Sequence, residues 1–143
     1  PEKALQSIYR VLRPGGTVHI MDVNDEWLSI YPDLPAFQKL RELAIIHQAA
    51  RGGNRLIGKA LRNHLLDTGF THPRLDIIKV DSDMIGIRSF IDITTSFKKE
   101  QIQVAEQVGD PTADELLAAI HQHIEEESVF GILGVYSIAG VKA

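Results

Sequence analysis

The segment RVLRPGGTVHIMD, residues 10–22, constrains this chain more than any other part of it. Ala4, Leu5, Ile8, Val11 and Leu12 recur at helical spacing ahead of it, with Arg10 and Arg13 placed where positive charge suits the end of a helix. Pro14 cannot continue that helix, because it lacks an N–H and crowds the preceding turn, and Gly15-Gly16 supplies the positive φ values of a tight reversal. A strand must follow at once. Residues 17–23 are β-branched and largely apolar on both faces, the pattern of a strand covered on both sides. Its carboxyl end carries Asp22, Asn24 and Asp25, and ligands of open α/β sheets sit outside the carboxyl ends of strands. Asp22 is therefore a candidate proton acceptor, with Asn24 and Asp25 as candidate substrate contacts and Asp25 a further candidate base. The same residues also suit the opening of a turn.

A chain of 143 residues, 44% apolar and 24% charged, is expected to fold as one domain, 1–143. Its formal charge of -4, with both signs interspersed, gives no general attraction to a phosphate backbone, so nucleic acid is not an expected partner. The absence of cysteine removes thiolate nucleophiles, disulfides and the common zinc sites, and it agrees with a reducing compartment. No apolar run approaches the roughly 20 residues that span a bilayer, so no membrane partner is expected and the cytoplasm is the expected location. The chain opens on a helix at Pro1-Glu2-Lys3 with no methionine and no preceding strand, which points to a fragment.

A loop over 24–32 contains Trp27 and Tyr31, either covering core or lining a pocket; Trp27 is taken as a candidate substrate contact. Asp33 is the expected cap of a helix running to about residue 50, which carries His47 as a second candidate base or as a hydrogen-bonded helix histidine. Arg51-Gly52-Gly53-Asn54 follows. Asn54 either caps the next helix or, with Arg51 and Arg55, completes an anion or substrate site on free N–H groups; Arg51 and Asn54 are retained as candidate substrate contacts. Leu56, Ile57, Ala60, Leu61, Leu65 and Leu66 form that helix's stripe, and Gly69 ends it in the left-handed conformation. A second strand is expected over 74–81. A short helix capped by Asp83 and weakened by Gly86 follows, then a break at Thr94-Thr95-Ser96 and a polar helix to about residue 108 with Ile102, Ala105 and Val108 on one face. Thr112 and Glu115 form a capping box before the stripe Leu116, Leu117, Ile120, Ile124. His121 and His123 stand two apart on this helix, so they cannot grip one metal. The run 125–127 of three glutamates reads as a solvated face. A third strand, 129–141, closes the chain.

Periodicity alone gives a layered α/β domain and names no reaction. The residues go further. PEKALQSIYRVLRPGGTVHIMD resembles the part of class I S-adenosylmethionine-dependent methyltransferases in which a helix ending in leucine, a basic residue and Pro-Gly-Gly feeds the fifth strand. NRLIGKALRNHLLDTGF resembles that family's helix ending in a glycine-aromatic pair before the sixth strand, and 130–142, with Tyr136 and the ending Gly140-Val141-Lys142, resembles its seventh. The three blocks stand in the family's order over nearly the whole chain. The resemblance implies a partial Rossmann-like sheet of strands 5, 7 and 6, with 129–141 between 17–23 and 74–81, covering helices, and a helical insertion at 82–127.

The chain departs from the family where the cofactor binds. Neither the glycine-rich loop after a first strand nor the acidic residue after a second is present. The implied function is the C-terminal, substrate-side portion of a methyltransferase acting on a small molecule. S-adenosylmethionine is then the cofactor of the full-length enzyme and is not expected to bind this chain alone. The alternative is a non-catalytic interaction module that self-associates through an exposed edge of strand 17–23. A hydrolase is disfavoured, because no Gly-x-Ser-x-Gly elbow and no cysteine is present.

Overall fold

Helix α1 (Glu2–Val11) stops before Pro14, and Gly15 turns the chain at φ 76° into β1 (Thr17–Val23). The computed structural model describes the backbone of residues 1–103 and 111–143 and the side chains of residues 1–96 and 111–143. These form a mixed α/β fold with an antiparallel sheet, divided into two units.

The first unit comprises Pro1–Asn24, Leu56–Ile78 and Gly134–Ala143. It contains α1, β1, a 3-10 turn (Ile57–Ala60), α3 (Leu61–Thr68), most of β3 (Phe70–Asp81) and the end of β4 (Phe130–Lys142). Strand β1 runs antiparallel to β4 from Thr17↔Val141 to Val23↔Val135, and β3 pairs with β4 as well. The last strand thus pairs with both expected neighbours. Leu5, Val18, Ile57, Leu61, Leu65, Phe70, Tyr136 and Ile138 form the core, each burial worth roughly 1.5–3 kcal/mol before the entropy cost. One expectation fails here. Only the β1 face bearing Val18 and Ile20 packs into that core; Thr17, His19 and Met21 on the other face are exposed.

Lys142 joins the two ends of this unit. Its N–H donates to the Gly16 carbonyl at 2.8 Å and its own carbonyl accepts from the Gly15 N–H at 2.9 Å. Its Nζ donates to the Tyr9 and Leu12 carbonyls at 2.7 and 2.8 Å, meeting oxygens that the end of α1 leaves without helical partners. The ammonium also lies 4.7 Å from the centroid of the Tyr9 ring. That ring meets Phe70 edge-on, centroids 4.9 Å apart, just after Gly69 caps α3 at φ 102°.

The second unit comprises Asp25–Arg55 and Lys79–Leu133. Its helices are α2 (Pro35–Ala50), α4 (Ser82–Ile85), α5 (Ile87–Gln103) and α6 (Ala113–Glu126). The core is built from Phe37, Leu40, Leu43, Phe90, Ile91, Leu116 and Ile120, with Leu28 and Ile30 from the segment before α2. A short strand not foreseen in the sequence, β2 (Ser29–Tyr31), pairs antiparallel with the start of β4 through Ile30↔Gly131. Gly131 lies under the Phe90 ring, and its N–H donates to Ser82 Oγ at 2.9 Å.

Four local expectations are corrected. Helix α2 has Leu34 at its cap and no side-chain cap bond, so Asp33 does not serve it. Strand β3 begins at Phe70, four residues before the expected start and with Pro73 inside it. The α4 cap is Asp81, whose Oδ1 accepts from Met84 N–H at 3.0 Å, not Asp83. Thr94, Thr95 and Ser96 do not break α5. Their hydroxyls donate to the carbonyls of Phe90, Ile91 and Asp92 four residues back, which satisfies them inside the helix. The face expected from Ile102, Ala105 and Val108 lies outside the described side chains. The capping box forms as read, with Glu115 N–H donating to Thr112 Oγ1 and Thr112 N–H to the Glu115 carboxylate.

Candidate functional site

In the first unit, β1 delivers Asp22 to the end of the strand on the same face as Val18 and Ile20. Asp22 is exposed, and its Oδ1 accepts the Val23 N–H at 2.8 Å. Beside it lies a cleft of about 200 Å³ lined by Pro1, Ala4, Leu5 and Ile8 of the first helical segment, Ile20 and Asp22 of β1, and Ile57 and Leu61. Gly58 sets one wall. A Cβ there would stand 2.7 Å from the Tyr136 ring and 3.0 Å from the Asn24 Cβ, so only glycine lets the 57–60 turn lie this close to the sheet. Asn24, a candidate substrate contact, is fully buried beneath that turn.

The other candidates belong to the second unit. Asp25 is 1% exposed, and both of its oxygens are held by Arg55, Nε to Oδ2 at 2.5 Å and Nη2 to Oδ1 at 2.9 Å. The backbones join too, with Asp25 N–H donating to the Arg55 carbonyl at 3.0 Å. Arg55 Nη1 also reaches Gln48 Oε1 at 3.3 Å. A base at Asp25 would have to leave this fork. Local pattern gives Arg55 only an assisting part beside Asn54, and its role as the partner of Asp25 depends on a contact across thirty positions that no local pattern reveals.

Arg51 and Asn54 are exposed, but the intervening turn is not the anion cradle considered from the sequence. The N–H groups of Arg51 and Gly53 donate to the Gln48 carbonyl and that of Gly52 to the Ala49 carbonyl, so they close the C-terminus of α2. Helix dipoles favour cations at such an end. Nor does Asn54 cap the next helical segment, which begins at a Leu56 cap without a side-chain bond. His47 is half-buried in the last turn of α2, and Trp27 is half-exposed in a 3-10 turn (Asp25–Trp27). Among the described residues no group of three or more His, Asp or Glu side chains could hold a metal, and no helix is long and apolar enough to cross a membrane.

No family model matches the chain, and no curated protein sequence does. Among solved structures it is similar to Haemonchus contortus phosphoethanolamine N-methyltransferase 2 in complex with phosphomonomethylethanolamine and S-adenosylhomocysteine, at 18% identity and a TM-score of 0.40. The match covers 99% of this chain and 29% of that one, so this chain spans under a third of the length of the protein it matches.

The residues described here do not make a cradle for the cofactor that the sequence resemblance implies for the full-length enzyme. The one strand among them that runs straight into a helix is β3, and its junction is Asp81-Ser82, without glycine, where the Asp81 carboxylate already occupies the Met84 N–H. Gly52-Gly53 follows a helix and faces back into it.

Proposed function

We propose that this chain is the C-terminal, substrate-side portion of an S-adenosylmethionine-dependent methyltransferase acting on a small molecule. The observation that carries the reading is that all three sequence blocks resembling the family contribute to one unit, through residues 1–22, 56–70 and 134–142. The Pro14-Gly15-Gly16 turn is bonded to Lys142, Lys142 to Tyr9, and Tyr9 to the Gly69-Phe70 pair. Motifs that are only ordered in sequence are linked by one chain of contacts.

The part this chain plays in such a reaction is to hold and orient the methyl acceptor. Holding reactants in line supplies much of the acceleration in a group transfer. Asp22 has room for a ligand beside it and can accept a proton or a hydrogen bond from the acceptor. The apolar walls of its cleft keep water from the face they cover. In the second unit His47 is the candidate proton acceptor, with Trp27, Arg51 and Asn54 the solvent-reachable contacts.

Calorimetry tests the division of labour. Residues 1–143 should show no binding of S-adenosylmethionine, and micromolar affinity would refute the reading. The natural coding sequence upstream of Pro1 should encode a strand followed by a glycine-rich loop, and its absence would refute it equally. A second reading, a self-associating module, is favoured by one feature: β1 has no strand on its outer edge among the described residues, and its Met21 is exposed. Sedimentation decides that reading, since a monomer at high concentration excludes it.

A further inference from the structure

We draw no further inference here: the strongest candidate, the outer edge of β3, which pairs with β4 alone among the described residues and exposes Leu75, Ile77 and Ile78, carries nothing, because nothing in the structure shows what covers it.

Discussion

At the scale of single residues, two positions carry geometry that their side chains alone do not announce. Gly58 is tolerated by nothing larger: an added methyl would stand 2.7–2.9 Å from Tyr136 ring carbons, inside contact distance. Gly58→Ala should therefore destabilise the first unit by about 1–3 kcal/mol, the usual cost of overpacking, and should widen the cleft by moving the wall that holds Ile57. Chemical denaturation measures the first effect. The Asp25–Arg55 fork is the other position. Both side chains are buried, so removing one partner leaves an enclosed charge, and Arg55→Met should cost about 3–5 kcal/mol. The double change Asp25→Leu with Arg55→Met should recover most of that loss, because the pair as a whole has also lost its hydration. If the double variant is as unstable as the single one, the fork contributes more than compensation for its own burial.

At the scale of elements, what the sequence reveals depends on whether the signal is local. The α6 capping box is local, four residues long, and forms as read; Thr112→Ala should cost about 1 kcal/mol by thermal unfolding. Proline and glycine boundaries at 14–16 and 69 are equally local and equally legible. Strand β2 was hidden for the opposite reason. Three residues give no period, and only pairing with β4 makes Ile30 an inward position. The Thr94-Thr95-Ser96 run misleads because its hydroxyls suit turns when read alone. Thr94 and Thr95 are buried and Ser96 is exposed, and all three bond back to their own helix instead. The same limit applies to the candidate site: the position of Asp22 at the end of β1 is local and legible, whereas the one-sided packing of β1 and the commitment of Asp25 to Arg55 depend on distant partners.

The cap of α4 adds a pH dependence at this scale. The hydrogen bond from Lys79 holds the Asp81 carboxyl below the usual aspartate range, burial opposes that, and the Met84 N–H adds to the lowering. A carboxylate favoured in the folded state contributes stability that is complete above the ordinary aspartate value near 3.9. That contribution declines as pH falls below this value and is gone beneath the lowered folded one. The amide shift of Met84 should follow this titration, and in Asp81→Asn the transition should vanish.

At the scale of the whole molecule, the chain's first helix and last strand are fastened by one side chain 130 positions away, which makes Lys142 a test of whether the three resembling blocks act as a unit. Lys142→Met keeps the stem and removes the ammonium, leaving the Tyr9 and Leu12 carbonyls without their donor. Hydrogen bonds to charged groups are worth about 1.5–3 kcal/mol, and part of that returns when water reaches the carbonyls, so a loss of about 1–2 kcal/mol is expected. Tyr9→Leu removes the ring that lies beneath Lys142 and against Phe70. If the turn, the glycine-aromatic pair and the final lysine form one device, the two changes should couple by more than about 0.5 kcal/mol in a double-mutant cycle. Additive losses would mean that the three blocks share a unit without depending on one another, and the observation that best supports the proposed function would lose its force.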